Sequence, residues 1–376
     1  MISLGGRLVS AIKGIVAGII FFVAAFPVLV LNEAYAVRTA RTLSQGAREV
    51  VSVAADRVDR AHQGRLVHVA GVATTSETVT DPLFRVSANA IRLQRKVEMY
   101  QWKETSSSRT RRNTGGSETT TKTYKYEQVW SERPIDSSQF NKQAGHENPP
   151  MTFESASYFA NRVTLGAFRL NRGQVEDLSG AEPVDASSAT LPAAIRERAH
   201  PIESGFETGE AGSPKLGDLR ITFSRVAPGD ASVIAAQAGD TFQPYRAKAG
   251  GTIQLVEMGI QTPEAMFEAA QSRNTLRTWL LRGLGLFLMF LGLALMLRPL
   301  AAVADVIPVF GSVVRAGTGM LSFLLAVCLS LVTIAIAWIA VRPMVGAGLL
   351  AVALLAAVVA IRRRKPALKA AAAAAR

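Results

Sequence analysis

Apolar residues gather in long blocks near the two ends of this chain and leave a long polar region between them. An uncharged apolar run covers residues 316–341, and a helix needs about 20 apolar residues to cross a membrane. Two further runs, 278–297 and 343–361, lie on either side of it, and a fourth, 14–32, lies near the N-terminus. The pattern predicts four transmembrane helices, one N-terminal and three C-terminal, around a long polar middle region, residues 33–277.

The middle region alternates between apolar and polar residues with a period of two, which is typical of half-buried β-strands. The clearest case is residues 91–100, and residues 123–130 resume the alternation after the polar tract 106–121. A polar segment that contains Gly115-Gly116 between two such strands predicts a long β-hairpin. Residues 33–277 are therefore predicted to form a β-rich α+β domain, with further strands at residues 65–72, 218–224, 232–236 and 252–256.

Helical signals flank the predicted domain. Residues 33–59 contain little Gly or Pro and are expected to continue the first span as an amphipathic helix. Thr262-Pro263-Glu264 combines an N-cap residue, a proline at the first helical position and an early acid, which predicts a helix that runs into the second span. Arg282 is the only charged residue of that span, and we expect it to extend toward the lipid headgroups.

The chain carries a formal net charge of +13, and the position of that charge predicts its orientation. Basic residues precede the first span, lie in the connection 298–315, and follow the last apolar run in residues 362–376. Because positive charge marks the cytoplasmic side, residues 1–13 and 362–376 are predicted to be cytoplasmic and residues 33–277 extracytoplasmic. The basic residues do not form one patch with interleaved aromatic residues, so nucleic-acid binding is not expected.

A cleaved signal peptide is the alternative explanation for the first apolar run, because Ala34-Tyr35-Ala36 resembles a cleavage site. The run is longer than a usual signal-peptide core, and Asn32 and Glu33 close it with polar residues, which favours an uncleaved anchor. Gly14 and Gly18 are four residues apart, a spacing that allows close packing against another helix.

Asp305 is the only acidic residue in the connection of residues 298–315. This connection is too apolar for an ordinary solvated loop, and we expect it to lie at the membrane interface or to re-enter the membrane. Asp305 is therefore a candidate functional residue that pairs with Arg298 or Arg315. The alternative is an acid that faces cytoplasmic water.

Trp102 and Trp130 lie at the two outer ends of the predicted hairpin, near one another. They are candidates for an aromatic surface that grips a partner. A cross-strand aromatic pair that closes a hydrophobic face is the alternative with the stronger physical basis.

The sequence contains little that indicates catalysis or metal binding. His146 lies beside Glu147, but no second ligand follows at a His-x-His or His-x₃-His spacing. A nucleophile elbow, a phosphate-binding glycine loop and a zinc-protease helix are all missing, and Cys328 lies within an apolar run. We therefore expect neither an enzyme nor a bound cofactor or metal.

Short motifs spread over nearly the whole chain point to one family. They are Asn32-Glu33, Leu66-Val67-His68, Val97 to Trp102 with Glu104, Asp136-Ser137 with Phe140, Gly145-His146 with Asn148-Pro149, Gly217 to Arg220, and Pro308-Val309-Phe310. In these residues the chain resembles the LUMA, or transmembrane protein 43, family. The resemblance implies a four-span protein with both termini in the cytoplasm, a large lumenal or equivalent domain, and a role in organising membrane-protein complexes. The Ala- and Arg-rich composition suggests a bacterial member, so the family's partners at the animal nuclear envelope are not carried over.

We therefore expect a multi-pass scaffold in the plasma (inner) membrane, with the large domain in the periplasm. Its extracytoplasmic domain would bind membrane or envelope proteins, and its spans would contact lipid and self-associate into a homo-oligomer. The alternative is a channel, a transporter accessory or a lipid-handling component, which the scarcity of charged residues inside the spans disfavours.

Overall fold

The computed structural model describes residues 4–112, 118–187, 189–304 and 308–341. The chain divides into two compact units. The helical unit comprises the described parts of residues 1–41, 110–119 and 271–376, and the β-rich unit comprises those of residues 42–109 and 120–270. The fourth predicted span, residues 343–361, and the basic tail, residues 362–376, lie outside the described residues.

Three helices in the described part of the chain are long and apolar enough to cross a membrane, over Ile12–Glu49, Pro263–Arg298 and Gly317–Ile339. They confirm three of the four predicted spans. The helices, numbered in chain order, are α1 (Leu4–Glu49), α2 (Arg172–Asp177), α3 (Ala193–Arg196), α4 (Pro263–Ala304) and α5 (Pro308–Val341).

The start of α4 agrees with the prediction, whereas several other boundaries of the long helices differ from the predicted ones. Helix α1 continues past the apolar run, as expected, but ends at Glu49, so the predicted helical range 33–59 is too long. Helix α4 begins directly after Thr262, whose hydroxyl accepts a hydrogen bond from the Ala265 amide, and runs without a break into the second span, as predicted. The described parts of residues 298–315 are helical, at the end of α4 and the start of α5.

Small residues let α1 and α4 approach each other closely in the helical unit. A Cβ atom added at Gly18 would lie 2.8 Å from the Gly292 carbonyl oxygen, whereas one added at Gly14 would meet no atom within 4 Å. Of the two glycines predicted to support packing, only Gly18 lies at a helix contact. The buried residues Ala25, Leu29, Met289 and Ala326 complete the core of this unit.

The strands, also numbered in chain order, are mostly short. They are β1 (Val51–Val53), β2 (Leu66–Thr74), β3 (Thr78–Thr80), β4 (Ser87–Asn89), β5 (Arg92–Arg112), β6 (Glu118–Ser131), β7 (Ala156–Phe159), β8 (Thr164–Leu165), β9 (Phe168–Arg169), β10 (Glu182–Pro183), β11 (Ala199–Ile202), β12 (Gly205–Thr208), β13 (Leu219–Val226), β14 (Gly229–Ala238), β15 (Thr241–Gln243), β16 (Tyr245–Arg246), β17 (Thr252–Ile253) and β18 (Leu255–Met258). Two 3₁₀ turns cover Arg60–His62 and Ser137–Gln139.

The first large sheet has the strand order β1-β2-β8-β9-β15-β14-β18, and β2 also pairs with β14. That pairing is antiparallel and extends from Leu66↔Ala236 to Ala73↔Gly229. Strands β2, β8, β9, β15 and β14 thereby form a closed ring of pairings, which leaves fewer unpaired strand edges than an open sheet.

The second large sheet has the order β11-β12-β13-β5-β6, with β10 paired to β13 and β7 paired to β5. Strand β5 pairs with β13 from Arg92↔Val226 to Met99↔Leu219. The predicted hairpin is confirmed as the neighbouring strands β5 and β6. Both strands extend further into the polar tract 106–121 than predicted, to Arg112 and from Glu118.

One large hydrophobic cluster joins residues of both sheets in the β-rich unit. Phe84 contacts Phe153 and Phe223 edge to face, with ring centroids 5.6 and 5.7 Å apart. The cluster also holds a buried ion pair, in which Arg95 Nη1 lies 2.5 Å from Asp81 Oδ2. Because the Arg95 guanidinium also donates to the Glu154 carbonyl and the other Asp81 oxygen accepts backbone amides, both charges are satisfied inside the core.

Candidate functional site

Three residues from three different helices form a polar cluster within the helical unit: Glu33 on α1, Arg282 on α4 and Trp338 on α5. Arg282 donates to both carboxylate oxygens of Glu33, from Nε at 2.6 Å and from Nη2 at 2.9 Å. The Trp338 indole N–H donates to the same carboxylate at 2.6 Å. Glu33 is only 1% exposed, so its charge is balanced and hydrogen-bonded where water does not reach.

Side-chain amides on either side of this cluster tie α1 to α4. Asn32 donates to the Thr278 carbonyl at 3.1 Å, and Asn274 donates to the Ala36 carbonyl at 3.1 Å. A helix inside a membrane already forms all its backbone hydrogen bonds internally. These side-chain bonds therefore add specificity, because packing alone would allow the two helices to shift along each other. Together with the ion pair they fix the register of the two helices.

Arg282 has protein partners that the sequence did not indicate, and its predicted extension toward the headgroups stays a prediction. Its side chain is 19% exposed and lies against the rings of Trp279, at 4.8 Å, and Trp338, at 5.8 Å. The partner was missed because Glu33 and Arg282 are 249 residues apart in the chain. The available signal was the acid at the end of the first apolar run, which has the opposite charge to the single basic residue of the second.

The three other intramembrane candidates remain predictions. Asp305 lies outside the described residues. Arg298 is an exposed residue of α4, and Arg315 belongs to α5. Among the side chains that the structure describes, no group of three or more His, Cys, Asp or Glu residues has an arrangement suited to a metal ion.

A second polar network lies in the β-rich unit, at the base of the β5–β6 hairpin. Gln101 is fully buried, donates to the carbonyls of Ser131 and Arg133, and accepts from the Ile135 amide at 2.8 Å. Asn148 accepts from the Trp102 amide at 2.7 Å and donates to the Trp102 carbonyl at 2.9 Å. These bonds hold residues 133–148, here called the strap, against the two strands.

Aromatic rings fill the space between the strap and the hairpin. The His146 imidazole stacks on Tyr126, with ring centroids 3.9 Å apart, and meets Trp102 edge to face at 4.7 Å. The Tyr126 hydroxyl donates to Glu104 at 2.6 Å and accepts from the Lys142 amide at 2.9 Å. Desolvation and the bond to Glu104 raise the pKa of Tyr126, so this hydroxyl stays protonated as a donor at neutral pH.

The structure gives the two candidate tryptophans different neighbours. Trp102 contacts His146, whereas Trp130 contacts Tyr100 at 5.3 Å and lies under the Arg220 guanidinium at 4.2 Å. Both side chains are half-buried. They take part in the packing at the hairpin base, and sequence reasoning missed the histidine and arginine that complete it.

The hairpin continues beyond this base as a two-stranded ribbon, residues 105–112 and 118–125. Pairing of β5 with β7 ends at Arg95 and with β13 at Met99. Residues 105–109 and 119–123 are all exposed. Between residues 105 and 125 the chain has five basic residues against one acidic one, so the ribbon is polar and positively charged.

Comparison with known proteins adds family relationships to this geometry. The family model described as Transmembrane protein 43 matches residues 99–343. The chain is similar to transmembrane protein 43 of Homo sapiens, at 34% identity over 378 residues, which covers 96% of this chain and 93% of that protein. The Rattus norvegicus protein is 33% identical over 375 residues, covering 96% and 92% of the two chains, and a Drosophila melanogaster homologue is 30% identical over 346 residues, covering 89% and 90%. No solved structure matches the chain.

Proposed function

This chain belongs to the transmembrane protein 43 family, and from that premise we propose that it is a non-catalytic membrane scaffold. In this function the spans hold the protein in the bilayer and associate with further copies of the chain. The β-rich unit binds membrane or envelope proteins.

This proposal rests on the exposed ribbon and on the hydrogen-bond network at its base. Residues 105–109 and 119–123 of the ribbon are exposed and bury little apolar surface, and an isolated hairpin of this kind is only marginally stable. Here the buried amide of Gln101 and the bonds of Asn148 fix its base to the strap. A rigid base below an exposed polar surface is the arrangement in which proteins commonly present binding residues.

The charge of the ribbon indicates the chemistry of the partner. Lys122 and Lys125 are exposed, and Arg109 extends the same basic character along β5. Complementary charge speeds the encounter between proteins and disfavours partners of the same sign. We therefore propose that the ribbon binds an acidic surface of a membrane or envelope protein.

The proposal includes an orientation. Basic residues before the first span and in residues 298–315 favour a cytoplasmic N-terminus, which places the β-rich unit on the opposite face of the plasma membrane, in the periplasm of a bacterial cell. A fourth span over residues 343–361 would return the C-terminal tail to the cytoplasm.

Photocrosslinking in intact cells tests the binding function. A photoreactive amino acid at Ser107, in the exposed ribbon, should capture a small and reproducible set of proteins. The same probe at Lys215, an exposed position of the β-rich unit outside the ribbon, serves as the matched control. The captured partner is then purified and its affinity measured for the full chain in lipid nanodiscs.

Charge reversal in the ribbon gives the quantitative part of the test. The double variant Lys122→Glu with Lys125→Glu should weaken binding by about tenfold or more, since unfavourable charge is placed against an acidic partner. Lys215→Glu is a matched control, because Lys125 and Lys215 are both 75% exposed and each lies near one glutamate. Equal capture at Ser107 and Lys215, or purified protein that conducts ions in liposomes, would contradict the scaffold function.

A further inference from the structure

Arginine residues of α1 and α4 come together at one end of the helix pair. Glu33 bonds to Arg282 and the Ala36 carbonyl accepts from Asn274, so residue numbers rise along α1 as they fall along α4. This register places Arg38 of α1 at about the level of Arg273 of α4. Four arginines, Arg38, Arg41, Arg273 and Arg277, therefore lie within about two helical turns of one another.

A ring contact places part of this group on one side of the helix pair. The Arg277 guanidinium lies 3.8 Å from the centroid of the Tyr35 ring. Tyr35 and Arg38 are three residues apart on α1, and Arg273 and Arg277 are four apart on α4, so each pair shares a helix face. Tyr35, Arg38, Arg273 and Arg277 thus form one basic face, here called the arginine face.

Within the helical unit little negative charge balances this face. Glu33 is the only acidic residue in residues 4–41 and 271–304, and its carboxylate is committed to Arg282 and Trp338. Both helices continue beyond these ranges, where α1 carries Glu49 and α4 carries Glu264 and Glu268. Arg273 makes an interaction of its own. Arg38 and Arg277 are both exposed, so these two residues of the arginine face can bind an anion.

An apolar surface continues from the arginine face toward the middle of the spans. Leu31 lies one helical turn before Tyr35 and is 67% exposed, and Leu280 lies three residues after Arg277 and is 66% exposed. Leu284 follows on the same face of α4 and is also exposed. A ligand for this surface is anionic at one end and apolar along its length.

We propose that the arginine face binds the phosphate of an anionic phospholipid, whose acyl chains lie along Leu31, Leu280 and Leu284. The planar guanidinium presents a fork of N–H donors that matches phosphate oxygens. A tyrosine with an apolar body and a polar hydroxyl suits the membrane–water interface between head and tail. Free phosphate would use the arginines alone and leave the apolar surface unexplained.

The test measures binding of short-chain phosphatidylglycerol to the purified full chain in detergent. Arg38→Gln with Arg277→Gln should weaken binding by about tenfold or more, because charge-assisted bonds to phosphate are lost. The control is Lys13→Gln with Arg298→Gln, which removes the same charge from the other ends of α1 and α4 and should change the affinity by less than about twofold. Short-chain phosphatidylcholine should bind far more weakly than phosphatidylglycerol, and inorganic phosphate should not compete at the same concentration.

Three results would overturn the proposal: equal loss in the two double variants, equal affinity for the two lipids, or full competition by inorganic phosphate. Thermal unfolding of each lipid-free variant checks that it is folded. If Arg38→Gln with Arg277→Gln does not fold, Arg277→Lys keeps the charge and removes only the fork and the ring contact. That variant should bind phosphatidylglycerol several-fold more weakly than the wild-type chain, and unchanged binding would also overturn the proposal.

Discussion

Glu33 and Arg282 show how a single pair of charges specifies a helix contact inside a membrane. Burying either charge alone costs several kcal/mol, whereas a bidentate pair with an added indole donor satisfies both. The structure brings them together from two ends of the chain. The contact therefore restricts α1, α4 and α5 to arrangements in which Glu33, Arg282 and Trp338 meet.

Removing one partner should be far more harmful than removing both. Glu33→Leu leaves the half-buried Arg282, whose side chain is 19% exposed, without its counter-ion and should destabilise the helical unit by about 3 kcal/mol. The double variant Glu33→Leu with Arg282→Leu should recover a large part of that loss. Thermal unfolding of the four proteins in one detergent measures the coupling, and additive effects would show that the pair does not act as a unit.

His68 is a single residue of the β-rich unit that should make the stability of the fold depend on pH. The imidazole is buried and lies 3.0 Å from the Gln261 carbonyl and 3.2 Å from the Ser52 hydroxyl. A carbonyl can only accept, so Nε2 carries the proton and Nδ1 accepts from Ser52. Desolvation lowers the pKa of His68, with smaller opposing contributions from the bond to Gln261 and the charge of Glu264.

The sign of this effect follows from the lowered pKa. Between the folded pKa and the unfolded value of about 6.5 the unfolded chain binds a proton that the folded chain does not, so stability falls as the pH drops below about 6.5. His68→Asn should flatten that part of the stability curve. Unfolding midpoints from pH 5 to 8, in steps of about half a unit, measure it, and identical curves for the two proteins would assign the slope to other groups.

Single residues were the hardest feature to predict from the sequence. Asp305 is an acid near a predicted span, but the buried acid among the described residues of the long helices is Glu33, whose partner lies 249 residues away. The charge of a residue and the ends of an apolar run can be read directly from the sequence. The pairing depends on which helices pack together, and a single sequence does not contain that information.

At the scale of elements, the β5–β6 hairpin was predictable and the strap was not. Period-two alternation on both sides of a glycine-containing polar tract specifies a hairpin locally. The strap has no periodicity, and its position depends on side-chain amides such as Gln101 and Asn148 that reach across to backbone groups. The closed ring of the first sheet was missed for a similar reason, since strands of two or three residues carry almost no pattern.

Asn148→Ala should release the strap and leave the sheet folded. It removes bonds to Trp102 and to the Ile135 carbonyl, each with a net contribution of about 1 kcal/mol. Hydrogen–deuterium exchange should rise in residues 133–148 and stay unchanged in β13. Asn141→Ala, at an exposed position of the same strap, is the control, and equal exchange in the two variants would contradict this account of the hairpin base.

Gly18 and Gly14 offer a test position and a control position for the contact between α1 and α4. Gly18→Val places side-chain atoms against the Gly292 carbonyl and should lower the thermal unfolding midpoint, because packing between membrane helices depends on close backbone approach. Gly14→Val meets open space and should have little effect. A similar midpoint for both variants would place the helix contact elsewhere.

At the scale of the whole molecule, the block pattern of the sequence predicted the order of its parts well. An early span, a long β-rich region and a C-terminal group of spans are all present in the described residues. Long apolar runs can be recognised without knowing what they contact, so the order of the spans and the β-rich region was predictable from the sequence. The orientation of these parts in the membrane depends on flanking charge and remains the central claim of the proposed scaffold.

Cysteine labelling in intact cells tests that claim most directly. In a Cys328→Ser background, a membrane-impermeant thiol reagent should label Ser107→Cys in intact cells. It should label Ser3→Cys and Lys369→Cys only after the cells are permeabilised. Labelling of Ser107→Cys and Lys369→Cys under the same condition would place the ribbon and the tail in one compartment and would contradict the proposed orientation.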